Sequence, residues 1–167
     1  MKLGRSLNLC IALASLILAG CLAPPPSLPP SPADFTPTPD AAQAIAELIA
    51  THRAAVVADD VQGLLDIWAE DGVIRDANHT PDDPTDDHVW RGLDAVLSYY
   101  TTILFPLYLN EVGPVDTALT IKGPEAVMTG TTKIGDELSP RGERWTFAFR
   151  DGKWKITGMT FNLEPRR

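Results

Sequence analysis

Three places in this chain carry side chains whose types and spacing suit chemistry. His52 interrupts an otherwise apolar face made by Ile45, Leu48, Ile49, Ala55 and Val56. A neutral imidazole there is either a hydrogen-bond donor for a bound molecule or a hydrogen-bonded core residue. Asp76 ends a short extended stretch that starts at Val73, and by alternation it shares a face with the apolar Ile74. An inward position would desolvate its carboxyl group and raise the pKa, whereas Asn78 and Pro81 just beyond favour a plain role in the following turn. The third place is the loop His79-Thr80-Pro81-Asp82-Asp83-Pro84-Thr85-Asp86-Asp87-His88. Its spacing matches neither a calcium loop nor a helical histidine pair, so it reads as a solvated acidic loop and no metal site is assigned. No glycine-rich turn leads from a strand into a helix, and no nucleophile elbow surrounds a serine, which sets aside nucleotide-dependent and serine-hydrolase chemistry. No cofactor is implied.

The elements that must hold these residues follow from hydrophobic period. Asp40 with Gln43 has the form of a capping box, and apolar residues at helical spacing continue to Val56. After Asp59-Asp60, the residues Val61, Leu64, Leu65 and Trp68 share one helical face, and Gly72 is the expected stop. A third helix is expected from Leu93 to Phe105, ended by Pro106. At helical spacing one of Tyr99 and Tyr100 should face the core. The period then changes to two, with strands expected over Val112 to Lys122, Glu125 to Ile134, Arg141 to Arg150 and Lys153 to Leu163. Asp151-Gly152 suits a two-residue hairpin. Trp145, Phe147 and Phe149 line one face of the third strand, and Arg144, Thr146, Ala148 and Arg150 line the other. Helices followed by an antiparallel meander predict an α+β domain with about three N-terminal helices packed on a curved, mainly antiparallel sheet.

The N-terminus bears on compartment. A basic start at Lys2 and Arg5 and an apolar run from Leu7 to Leu18 are too short to span a bilayer, which takes about 20 apolar residues. Leu18-Ala19-Gly20-Cys21 resembles the lipobox of bacterial lipoproteins. That resemblance implies a signal peptide over residues 1–20, lipidation of Cys21 and an extracytoplasmic, lipid-anchored protein on a bacterial membrane. With Cys10 discarded and Cys21 acylated, no thiol is left for a disulfide, a metal or a nucleophile. Residues 21–39 form a tether: eight of the 15 prolines lie from Pro24 to Pro39, and an extended stretch of that composition reaches about 50 Å. The folded domain is expected over residues 40–167. Losing Lys2 and Arg5 would take the formal charge from −8 to −10, a surface that repels nucleic acid and anionic lipid, so no nucleic-acid partner is expected. Attachment then depends on the acyl chains.

Within the domain, Leu65-Asp66-Ile67-Trp68-Ala69-Glu70-Asp71-Gly72-Val73-Ile74-Arg75-Asp76, followed after a loop by Arg91-Gly92-Leu93-Asp94-Ala95-Val96, resembles the nuclear transport factor 2-like superfamily. The similar part is the SnoaL-like and ketosteroid-isomerase-like group, and the pattern runs from about Ala41 to Leu163. The resemblance implies a cone-shaped fold with a pocket between sheet and helices, and a homodimer through the open face of the sheet. In the isomerase branch the carboxylate at the Asp76 position is the general base. His52 stands where that branch has an oxyanion-binding tyrosine, and Trp145 where it has a protonated carboxylic acid. The pocket lining expected here is Trp68, Ile74, Tyr99, Tyr100, Trp145 and Phe147, around a small apolar ligand.

Two functions remain open at this point. One is a non-catalytic module that binds a small ligand or pairs through its sheet, favoured because only one position of the isomerase set is kept. The other is an isomerase, cyclase or dehydratase with Asp76 as base, acting on a small apolar carbonyl compound, and His52 or a tyrosine as donor.

Overall fold

The apolar positions of the first segment wind onto one side of α1 (Ala41–Val57), which buries Ile45, Ile49, His52, Ala55 and Val56. In this computed structural model, residues 40–134 and 137–165 are described. The expected signal peptide, Cys21, the proline-rich stretch and Arg166-Arg167 lie outside the described residues. No helix among the described residues is long and apolar enough to cross a membrane. The capping box does not form. Asp40 makes no side-chain cap, and Gln43 donates to Glu47 at 2.8 Å one turn further on. The second cap does form, with Asp60 Oδ1 accepting from the Gly63 N–H at 3.0 Å, and it starts α2 (Val61–Ile67).

Helix α2 is shorter than its apolar period suggests. Trp68 opens β1 (Trp68–Asp76) and does not close the helix, because its backbone pairs with Ile156. A register shift between Trp68 and Val73 absorbs Gly72, the bulge bending the strand. The expected polar loop contains a strand as well: β2 (His88–Arg91) pairs antiparallel with β1, from Val73 opposite Arg91 to Asp76 opposite His88.

Helix α3 (Leu93–Tyr99) runs into one turn of π-helix (Tyr100–Leu104) and a short 3₁₀ turn (Phe105–Leu107) containing Pro106. The Phe105 N–H reaches back five residues to the Tyr100 carbonyl. That wide turn shifts the helical register, and both tyrosines are buried where regular spacing would turn one outward.

The remaining strands are β3 (Val112–Lys122), β4 (Glu125–Ile134), β5 (Glu137–Arg150) and β6 (Lys153–Phe161). At the hairpin between the last two, Asp151 and Gly152 take φ values of 52° and 80°, the paired left-handed residues of the turn that matches strand twist. The six strands lie in the order β2-β1-β6-β5-β4-β3. Only the β1–β6 pair is parallel. The result is an α+β domain with three helices on one face of a curved, mixed sheet. The core lies between them, and Leu64, Ile74, Val96, Tyr100 and Ile156 are fully buried in it.

Candidate functional site

His52 reaches the middle of that core from α1. Its Nε2 lies 2.7 Å from the Tyr100 hydroxyl, and its ring meets Trp145 edge-on with centroids 4.9 Å apart. Burial, and secondly the charge of Arg53, lower its pKa from 6.5 to about 3, so the imidazole is neutral at any ordinary pH. The Tyr100 phenol is held protonated, chiefly by burial and then by Tyr99. Burial also raises Tyr99, and the carboxylates of Asp76 and Glu143 raise it further.

These residues border a cavity of about 60 Å³. His52, Tyr99, Tyr100, Glu143, Trp145 and Phe161 contribute to its wall. Elements far apart in sequence meet there: α1, the α3–π junction, and the inner faces of β5 and β6. Glu143 is 3% exposed, and it shares the inward parity of Trp145 and Phe147 on β5. Its backbone is steered by Gly142, at φ +136°, where an added Cβ would lie 2.8 Å from the Glu164 nitrogen. The Leu163 N–H bonds the Gly142 carbonyl at 3.0 Å. The chain after β6 is thereby pinned against the start of the inward-facing part of β5.

Two buried polar atoms of the wall residues, His52 Nδ1 and Trp145 Nε1, have no hydrogen-bond partner among the described residues. An orphaned buried group of this kind costs about 1–3 kcal/mol. A molecule bringing a polar group into the cavity would recover part of that cost.

The expected site residues divide. His52, Tyr99, Tyr100 and Trp145 come together at the cavity. Trp68, Ile74 and Phe147 pack in the surrounding core and do not line it; Trp68 sits behind Tyr100 and Trp145, at centroid distances of 6.2 and 6.4 Å. Asp76 is also absent from the wall. Its Oδ1 accepts from the Asn78 N–H at 2.9 Å and from Asn162 Nδ2 at 2.7 Å, so the carboxylate closes the turn after β1 and ties it to the end of β6. It stays one hydrogen bond from the cavity, since Asn162 is itself a wall residue. Glu143, Phe161 and Asn162 are among the wall residues that pattern reading missed, although for Glu143 a carboxylate two residues before Trp145 on an inward face was there to be noticed.

The acidic loop is held by its own side chains. Asp86 accepts from Thr80 at 2.7 Å and from Asn78 at 3.0 Å, Asp83 accepts from Thr85, and Asp87 pairs with Arg75. Among the described residues no group of three His, Cys, Asp or Glu side chains is placed to hold a metal.

Solved structures share this architecture. A protein of unknown function from Pseudomonas putida, described as nuclear transport factor 2-like, superposes with a TM-score of 0.57 at 18% identity over 74% of this chain and 86% of its own. A protein of unknown function with a cystatin-like fold from Nostoc punctiforme gives 0.55 at 17% identity over 74% and 90%. The fold is that of the nuclear transport factor 2-like proteins. LinA, another protein with this fold, gives 0.53 at 18% identity over 71% of this chain and 82% of its own. Likeness at such identity carries the nuclear transport factor 2-like architecture and no activity, because this scaffold hosts unrelated functions. No family model matches the sequence, and no curated protein does either.

Proposed function

We propose that this chain is a lipid-anchored, extracytoplasmic protein whose nuclear transport factor 2-like domain binds a small ligand without transforming it. The observation that carries the binding reading is the cavity itself, bordered by His52 and Trp145, each with a buried polar atom that no described residue satisfies. Its volume of about 60 Å³ is less than half that of an apolar cavity known to admit benzene, about 150 Å³. The ligand is therefore a molecule of a few heavy atoms, or the polar head of a larger one.

The isomerase, cyclase or dehydratase reading has less support. With Asp76 as its base it needs that carboxylate beside the bound carbonyl compound, and the Asp76 carboxylate is engaged with Asn78 and Asn162 outside the cavity wall. His52 is kept neutral and bonded to Tyr100, which suits holding a ligand.

Ligand-observed NMR on the full chain in detergent, with a library of polar molecules of two to five heavy atoms, tests the binding reading. Binders are expected, and their signals should be lost with Trp145→Phe, which keeps an aromatic ring, though a smaller one, and removes the N–H. A library with no binder would defeat the proposal. Anchoring is tested separately with Cys21→Ser, which should release the protein from the membrane fraction; retention there would overturn the lipoprotein reading.

A further inference from the structure

On the side of the sheet away from the helices, Arg75, Arg91 and Arg144 border one groove of about 570 Å³, together with Thr146, Gly158 and Thr160. The strand pairings set their arrangement. Arg75 on β1 and Arg144 on β5 stand opposite Thr160 from its two sides, so their backbones are about 10 Å apart across three strands. Two residues along, Arg91 on β2 lies opposite Val73, and the row continues through Gly158 to Thr146. Arg91 is thus a diagonal neighbour of Arg75, about 7–8 Å away at the backbone. We propose that this groove binds a phosphate group carried by a small soluble ester, at a site separate from the inner cavity.

Charge carries the first half of the argument. Arg75 is held by Asp87, whose side chain is 4% exposed. Among the described residues, Arg91 and Arg144 have no ion pair or side-chain hydrogen bond, and no acidic residue lines the groove. Two uncompensated cations and a third fixed by a buried carboxylate share one concave space, where a dianion relieves their repulsion. Guanidinium forks also match the oxygens of a phosphate in pairs. The formal charge of −8 over the whole chain works against a long polyanion and favours an anion that lies wholly within the groove.

The floor of the groove supplies the second half. Gly158 is not among the glycines with positive φ, so backbone conformation does not account for it. Glycine inside a strand often marks a place where a ligand comes close. A Cβ at this position would lie 2.7 Å from the Thr146 hydroxyl oxygen, and its absence keeps that hydroxyl uncovered. Thr157 is the extra residue of a register shift, since Phe147 pairs with Ile156 and Thr146 with Gly158. Such a bulge re-aims a side chain, and Thr157 Oγ1 lies 3.0 Å from Thr146 Oγ1. One bond between two hydroxyl groups uses one proton and leaves the other for an acceptor oxygen.

Glycerol 3-phosphate and glycerol differ by the phosphate alone, so they make the deciding pair of probes. With the full chain in detergent at about pH 7, where the ester carries close to two charges, calorimetry at low ionic strength should show saturable binding of the ester. A Kd of about 1 mM is expected, weakened severalfold by added sodium chloride, with no binding of glycerol. Arg91→Gln and Arg144→Gln should each cost severalfold in affinity, and the double variant should abolish binding. Arg150→Gln removes an equal charge, bonded to Asp71 outside the groove, and should leave the affinity unchanged. Equal losses from Arg144→Gln and Arg150→Gln would make the attraction diffuse and overturn the site, as would the absence of saturable binding. If an arginine variant fails to give a cooperative melt, Thr146→Val carries the test, with a severalfold loss expected and an unchanged Kd counting against the site. The source of the phosphate is tested with the chain in vesicles containing phosphatidate, compared with vesicles of equal charge made with phosphatidylserine. Equal affinity for glycerol 3-phosphate in the two is expected; displacement by phosphatidate would assign the groove to a lipid headgroup and overturn the soluble ester.

Discussion

Strand β5 has two faces with opposite endowments. Inward it presents Glu143, Trp145 and Phe147, all buried; outward it presents Arg144 and Thr146. The outward side chains border a groove of about 570 Å³ shared with Arg75, Arg91 and Thr160. The pairings align these residues across the sheet: Thr160 on β6 lies opposite Arg75 on β1 and Arg144 on β5. By volume the outer groove is the larger feature. For stability the inner cavity outweighs it, because its polar groups have been taken from water, where an unmet hydrogen bond or an unpaired charge costs most. The arginines outside keep their hydration and are screened by salt. Dielectric surroundings, more than available volume, decide what a lost polar contact costs here.

That contrast is open to attack by mutation. The largest effect should come from Trp145→Ala, which removes a ring that is 1% exposed and touches both the cavity and the Trp68–Tyr100 packing. A loss of about 3–5 kcal/mol is expected from urea denaturation. A loss below 1 kcal/mol would mean that the inner face is loosely packed and that the cavity is poorly defined.

Acidification should act next, and through one inner residue. His52 has a folded pKa of about 3 against an ordinary value of 6.5. The unfolded chain therefore takes up a proton below pH 6.5 that the native state refuses. Stability tied to His52 is complete above that value and is lost as pH falls toward 3, at about 1.4 kcal/mol per pH unit in the steep range. Between pH 7 and 4.5 the loss should be about 2–3 kcal/mol. His52→Gln, which keeps a hydrogen-bonding group for Tyr100 and does not titrate, should flatten that part of the profile. Equal slopes in the two proteins would show that His52 is not buried as a neutral group.

Tyr100→Phe should follow, at about 1–3 kcal/mol, since it leaves His52 Nε2 without its partner at 2.7 Å. It also asks whether the pair is a structural unit. A variant as stable as the parent would mean that water or a ligand takes over from the hydroxyl.

The two faces were unequally legible in the sequence. The alternation of β5, the β3 and β4 spans and the Asp151-Gly152 hairpin follow from local rules, and they appear in the structure. Helix α2 was overread because Val61, Leu64, Leu65 and Trp68 fit a helical stripe, while the choice at Trp68 belongs to its pairing with Ile156 on a strand far along the chain. Strand β2 escaped because four residues, His-Val-Trp-Arg, at a sheet edge carry no apolar alternation. The inward turn of both tyrosines depends on a π-turn that spacing alone does not announce. The Asp76–Asn162 bond, which keeps that carboxylate from the cavity wall, joins residues 86 positions apart. Glu143 was legible by parity, but the aromatic residues that follow it on the same face read as a closed core.

The smallest effect should come from the outer face, and it sharpens the comparison by its smallness. Arg144→Gln removes one of three guanidinium groups from the groove and leaves the β-strand backbone pairing intact. Arg75 keeps its contact with Asp87, so no buried acid is exposed as an unpaired charge. The change in stability should stay within about 0.5 kcal/mol, and the pH profile between 7 and 4.5 should keep the parent's shape. Ligand binding in the cavity should also be unchanged, because the side chain lies on the opposite side of the sheet. Should Arg144→Gln instead cost more than 1 kcal/mol, the groove would be acting as a desolvated surface in solution. The simplest cause of such desolvation is a second copy of the chain covering the open sheet face, and a concentration-dependent melting temperature would identify it.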